Sequence, residues 1–307
     1  MESLASIPTP PPQFRSGFVA LVGRPNVGKS TLFNHLLGQK VAITSPVAQT
    51  TRNRLRGILT TPTAQFIFVD TPGIHKPHHR LGEVLVHNAK SLLNRVDVIL
   101  FVVDGTAPPG TGDRYVAQLL TTTKRAVLLA ANKMDQVAEA DRQPRLHAYQ
   151  TLGPWLTYGC SALTGEGVEP LQGAIAQRLP LGPYYYPPDM VTDQPERFIM
   201  AELIREQILH HTREEVPHAV AVTIEHVQPQ GKVTRVNAAI YVERPSQKAI
   251  LIGKAGHLLK QIGTAARQEM ETLLGGQLYL ELFVKVRPRW RQDRAHLAEL
   301  GYRLETD

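Results

Sequence analysis

Cysteine is almost missing from this sequence: Cys160 is the single example in 307 residues. A lone cysteine excludes a disulfide framework and fits a reducing, intracellular setting. Long hydrophobic runs are missing too. No apolar stretch approaches the roughly 18 residues needed to span a bilayer, so the chain is not expected to cross one. The stretch from Met1 to Gln13 is rich in proline and has neither an apolar core nor a basic residue. It fits neither a signal nor a transit peptide and reads as a disordered tail, residues 1–15. Histidines occur in pairs at His78, His79 and at His210, His211 but lack zinc-ligand spacing with Cys or Glu, so no transition metal is assigned.

Acid is the scarcer charge, and its distribution matters more than the net +7. Residues 1–185 hold 18 basic and 11 acidic side chains, whereas residues 186–307 hold 16 of each. Between Arg244 and Arg294, however, ten basic residues face four acidic ones. That pattern describes a neutral domain with a basic face.

What is present begins with Gly23, Arg24, Pro25, Asn26, Val27, Gly28, Lys29, Ser30 and Thr31. An apolar run, Phe18 to Val22, precedes it, and a stretch of helical spacing to Leu37 follows. Strand, glycine-bracketed loop and helix are the context in which G-x-x-x-x-G-K-[ST] counts as a phosphate loop. Its glycines let backbone N–H groups turn on an anion, and the helix N-terminus adds its positive end. Lys29 then reaches the β- and γ-phosphates, and Ser30 holds Mg²⁺.

The apolar strands that follow end in polar clusters. Gln49, Thr50, Thr51 and Arg52 place two hydroxyls where a switch segment donates one, here Thr51, to the metal. A hairpin over residues 58–70 ends in Asp70, Thr71, Pro72 and Gly73. Asp70 suits the metal, while Gly73 offers its N–H to a γ-phosphate; an ordinary strand-to-turn Asp with Pro-Gly punctuation is the bland alternative. A helix over 81–93, a strand over 96–103 and a helix near 112–120 come next. The strand Ala126 to Ala131 leads into Asn132, Lys133, Met134 and Asp135, where a carboxylate accepts two hydrogen bonds from guanine, selecting it over adenine on the order of 10⁴-fold. After a helix at 144–152 and a short strand, Ser161 and Ala162 bring a backbone amide toward the guanine O6. Cys160 reads as a packing residue. Strands alternating with helices predict a mostly parallel sheet covered on both faces.

Five prolines from Pro180 to Pro195, with three tyrosines from Tyr184 to Tyr186, make a stiff linker at 181–196. Its tyrosines pack into the domain junction or touch a membrane surface. Helix, strand and strand lead to Ile252, Gly253, Lys254, Ala255, Gly256 and the basic helix carrying Lys260. A Gly-x-x-Gly loop with a lysine lets a nucleic-acid backbone come close. Period two from Tyr279 to Arg291 predicts one strand face of Lys285, Arg287, Arg289 and Arg291, suited to an anionic partner or to guarding an edge. Trp290 and Tyr279 either stack on bases or are buried.

At residues 23–30, 49–53, 70–73, 132–135 and 161–162 the chain resembles a translation-factor-class bacterial GTPase, and its second half narrows the resemblance to the Era family. The resemblance implies an α/β, P-loop GTPase domain with a mostly parallel sheet at 16–180. A small α+β, type-II K homology (KH) domain at 197–295 and a tail at 296–307 follow. It implies a monomeric, cytoplasmic GTP hydrolase, bound to GTP or GDP with Mg²⁺, that switches binding of the 3′ end of 16S rRNA during 30S subunit assembly, with possible peripheral contact to the inner membrane face. Lys29, Asn26, Thr51 and Gly73 are its expected catalytic set. Ile74 stands where Ras-like enzymes place a water-orienting Gln, which implies slow intrinsic turnover. Asn26 matches an asparagine that helps hold K⁺ in related GTPases; a plain loop residue tolerant of positive φ is the alternative. Two other readings compete: an RNA-binding scaffold with structural nucleotide, and a tRNA-modification or other ribosome GTPase, which would lack the second domain.

Overall fold

The computed structural model describes residues 7–47, 50–52, 54–74, 83, 87, 91–300 and 302. Gln49, Asn53, His78, His79, most of the helix expected over 81–93, residues 1–6 of the expected N-terminal tail and residues 301 and 303–307 of the expected C-terminal tail lie outside the described residues. Two compact units divide the chain: residues 1–42, 51–77 and 85–193, and residues 43–50, 78–84 and 194–307.

The first unit runs β1 (Arg15–Val22), α1 (Lys29–Leu37), β2 (Leu55–Thr60), β3 (Ala64–Asp70), β4 (Val98–Asp104), α2 (Thr111–Leu120), β5 (Ala126–Asn132), α3 (Glu139–Gln150), β6 (Leu156–Gly159) and α4 (Val168–Ala176). Its sheet has the order β2-β3-β1-β4-β5-β6. Only β2, the hairpin partner of β3, is antiparallel. Every residue of β3 and β4 is buried, as strands covered on both faces require. On α1, Leu32, Phe33, Leu36 and Leu37 form the buried stripe that the spacing predicts. Helix α3 starts at Glu139, earlier than the expected 144, and carries Pro144 inside it. Glu139 and Asp141 in its first turn favour that earlier start, because carboxylates stabilise the positive end of the helix.

The second unit contains α5 (Glu196–His211), α6 (Val216–Ala219), β7 (Ala221–Gln230), β8 (Val233–Val242), α7 (Pro245–Ile252), α8 (His257–Leu274), β9 (Gln277–Val286) and α9 (Arg294–Glu299). Its sheet is β7-β8-β9, with β7 antiparallel and β9 parallel to β8. Ile204, Ile208, Ile240, Leu251, Ile262 and Met270 form the heart of its core. Residues 43–50 belong to this unit, where the Thr44 N–H donates to Glu206 Oε1 at 2.8 Å.

Strand β9 is shorter than the period-two pattern suggests. It stops at Val286, two residues before Pro288, which has no N–H for a ladder. Arg287, Arg289 and Arg291 therefore lie beyond it, and a single four-cation strand face does not form. Arg289 turns to φ 53°, and Arg291 pairs with Glu243. Trp290 is fully buried and its Nε1 donates to the Ala219 carbonyl at 2.9 Å. The ring of Tyr302 stacks on it at 5.9 Å, so the described end of the chain is packed.

Candidate nucleotide site and RNA groove

The loop between β1 and α1 is tied down from several directions. Gly28 adopts φ 92°, and a Cβ there would lie 2.3 Å from Asn132 Nδ2. Only glycine fits both the conformation and the space. Lys29 folds back along the loop, its Nζ donating to the Arg24 carbonyl at 2.9 Å and the Gly23 carbonyl at 3.3 Å. Burial lowers its pKa to about 8, against the pull of Asp70, and Arg24 lowers it further. Asn26 sits at φ 64°. A Cβ on Gly73 would come within 2.7 Å of the Pro25 nitrogen, so these two turns pack backbone to backbone. Beside them Thr71 Oγ1 donates to the Leu21 carbonyl at 2.7 Å.

Three oxygens of the expected metal set converge. Ser30 Oγ lies 2.7 Å from Asp70 Oδ2 and 2.9 Å from Thr51 Oγ1, and Thr51 Oγ1 lies 3.0 Å from Asp70 Oδ2. Asp70 is fully buried, and its Oδ1 has no hydrogen-bond partner among the described residues. Burial raises its pKa against the opposing influence of Lys29 and the two hydroxyls. A buried carboxylate oxygen left unpaired among oxygen donors is the environment a hard divalent cation completes. The residues present fit Mg²⁺.

The loop after β5 braces its neighbours. Asn132 Nδ2 donates to the Val27 carbonyl and its Oδ1 accepts from the Ala162 N–H, both at 2.8 Å. Lys133 Nζ donates to the Asn26 carbonyl at 2.8 Å. Met134 is buried, while Asp135 sits half-buried in a short 3₁₀ turn. Ser161 is buried with its Oγ accepting from the Thr164 N–H. Burial pushes the Cys160 thiol up to about 12, which fits a packing residue.

Two carboxylates that no motif singles out complete this neighbourhood. Asp104, at the end of β4, accepts from Lys133 Nζ at 2.7 Å. Burial opposes its ionisation, yet hydrogen bonds from Lys133 and Thr106 hold its pKa below the ordinary value. Asp113, on α2, is fully buried and accepts from Arg24 Nε at 3.1 Å and the Gly110 N–H at 2.9 Å.

In the second unit, Gly253, Ala255 and Gly256 all have positive φ, at 70°, 52° and 78°. Lys254 on this turn is exposed. Along α8 runs a groove of about 410 Å³ whose lining includes Gly256, Lys260, Gly263, Thr264, Arg267 and Tyr279. Gly256, Lys260, Gly263 and Arg267 recur at intervals of four, three and four, one helix face, a signal that could have found Gly263 and Arg267 from the sequence. Ile252, Gly253, Lys254 and Ala255 flank this groove in sequence. Lys285, Arg287 and Arg289 do not line it. Lys285 pairs with Glu225, and Arg287 with Glu299 at 2.9 Å.

A loop of phosphate-loop form, the Asn-Lys-Met-Asp turn after β5 and a Gly-x-x-Gly groove on one chain fit a GTPase with an RNA-binding module. Residues 18–133 match the family model described as 50S ribosome-binding GTPase, and residues 215–291 match the KH domain model. Among curated relatives, GTPase Era of Nostoc sp. is 62% identical, covering 98% of this chain and 93% of its own length. GTPase Era of Rippkaea orientalis is 60% identical over 99% and 98%. A crystal structure of Era in complex with MgGDPNP and nucleotides 1506–1542 of 16S ribosomal RNA superposes with TM-score 0.91 at 42% identity, covering 95% of this chain and 100% of that one. Aquifex aeolicus Era bound to GDP.AlF4- gives the same TM-score at 41% identity and the same coverage. The chain belongs to the Era family of GTPases.

Proposed function

We propose that this GTPase hydrolyses GTP at the first unit's phosphate loop and uses the nucleotide to set whether its KH groove holds the 3′ end of 16S rRNA during 30S subunit assembly. The convergence of Ser30, Thr51 and Asp70 around an unpaired buried carboxylate oxygen carries the reading. Thr51 belongs to the segment that a γ-phosphate would order, so those oxygens suit a state-dependent metal site. Mg²⁺, when bound, neutralises phosphate charge. Lys29 leaves its loop carbonyls for the β- and γ-phosphates, the Gly73 N–H faces the γ-phosphate, and Asp135 reads the guanine edge. In the second unit, Gly253, Lys254 and Gly256 admit the RNA backbone, Lys260 lines the groove, and Lys285, Arg287 and Arg289 supply positive charge away from it.

K⁺ beside Asn26 supplying further charge to the transition state, a cytoplasmic monomer, peripheral contact with the inner membrane face, and domain limits of 16–180 and 197–295 complete the proposal. Dependence of turnover on K⁺ over Na⁺ tests the first of these.

A second reading, an RNA-binding scaffold with structural nucleotide, is favoured by Ile74. Its side chain is fully buried in the first unit's core and orients no water. Lys29→Ala separates the two. Loss of both RNA-stimulated phosphate release and GTP-dependent RNA binding supports the switch; RNA binding that is unchanged with or without GTP supports the scaffold.

A further inference from the structure

The carboxylate of Asp113 is buried at the first turn of α2, an element that contributes no residue to any of the nucleotide motifs. One oxygen accepts the Gly110 N–H at 2.9 Å, an ordinary helix-start contact. The other accepts from Arg24 Nε at 3.1 Å. Arg24 is the first variable residue of the phosphate loop, and its side chain lies along the start of α2, where a Cβ on Gly112 would meet its Cδ at 3.4 Å. Its backbone carbonyl receives Lys29 Nζ at 2.9 Å. The carbonyls of Asn26 and Val27 are held by Lys133 and Asn132. The loop is thus pinned at residues 26 and 27 from the base side, and at residue 24 through Asp113. Asp104 stands 3.9 Å from the same guanidinium while engaging Lys133.

We propose that Asp113 is a positioning residue for nucleotide phosphate: through Arg24 it fixes the leading turn of the phosphate loop and the carbonyl on which Lys29 rests. A charged hydrogen bond to a buried carboxylate resists displacement, so the loop amides stay aimed at the anion before it arrives. The proposal rests on the nucleotide reading given above. It assigns to α2 a part in phosphate binding beyond its packing in the core.

Asp113→Asn tests it. An asparagine oxygen still accepts the Gly110 N–H, but its amide turns a donor toward the Arg24 guanidinium. GDP affinity is expected to fall about tenfold, discounted for an Arg24 side chain that is about one third exposed. GMP, which lacks the β-phosphate, is expected to bind within about twofold of its wild-type affinity. In an Arg24→Ala background the same substitution should add no further loss. GDP and GMP affinities falling together, accompanied by a lowered melting temperature, would show a helix cap alone and overturn the proposal. So would a GDP affinity unchanged in Asp113→Asn. Wild-type protein that binds neither nucleotide overturns the underlying nucleotide reading as well.

Discussion

Asn132 holds the Val27 carbonyl through its Nδ2 at 2.8 Å and, with its other side-chain atom, the Ala162 N–H. One buried amide therefore sets the spacing between the phosphate loop and the loop expected to face the guanine O6. Asn132→Ala removes both bonds and leaves a buried carbonyl and a buried N–H unpaired. GDP affinity should drop roughly 10- to 100-fold, measured by titration calorimetry or a fluorescent nucleotide.

Lys29 titrates near pH 8 because of burial, far below its ordinary value of 10.5. Bound phosphate favours the protonated form, so nucleotide binding takes up a proton once the pH exceeds about 8. Affinity is full below that pH and should weaken by up to about tenfold per unit above it. The stability effect has the opposite sign. Between about 8 and 10.5 the unfolded chain keeps a proton that the folded protein has shed, so this residue's contribution to stability rises with pH through that window. Nucleotide affinity and melting temperature measured against pH check both directions, with Lys29→Met as the reference.

The Ser30, Thr51 and Asp70 oxygens make a further prediction. Ser30→Ala removes one proposed metal ligand while leaving the contact of Thr51 with Asp70 in place. The Mg²⁺ concentration for half-maximal GTP hydrolysis should rise at least about tenfold. An unchanged Mg²⁺ requirement would place the metal elsewhere.

Ile74 is packed in the core rather than turned to solvent. Installing the glutamine of Ras-like enzymes buries an amide among apolar side chains. Ile74→Gln should therefore destabilise the protein by about 1–3 kcal/mol in urea denaturation and leave intrinsic turnover no faster.

The sequence makes the linear strings plain. Residues 23–30, 70–73 and 132–135 each occupy one strand end, and the run of buried strands between them implies the parallel sheet. Asp113 and Asp104 are not legible this way, because their partners lie 89 and 29 residues away and one carboxylate in a helix start looks like any other. The end of β9 was hidden for a different reason. Alternation of Lys and Arg continues past Val286, but Pro288 and the left-handed Arg289 stop the strand. Trp290, a possible stacking residue by type, is taken by the Ala219 carbonyl and the Tyr302 ring. Tyr279, equally ambiguous in sequence, stays exposed on the wall of the groove.

The central claim is that nucleotide state governs the RNA grip. Binding of a fluorescent RNA carrying the 3′ end of 16S rRNA should be measured with the protein empty, loaded with GDP and loaded with a non-hydrolysable GTP analogue. Affinity at least about tenfold higher in the triphosphate-bound form, with an equal gain in analogue affinity when the RNA is bound first, is the expected result. Equal affinity in all three states would contradict the account.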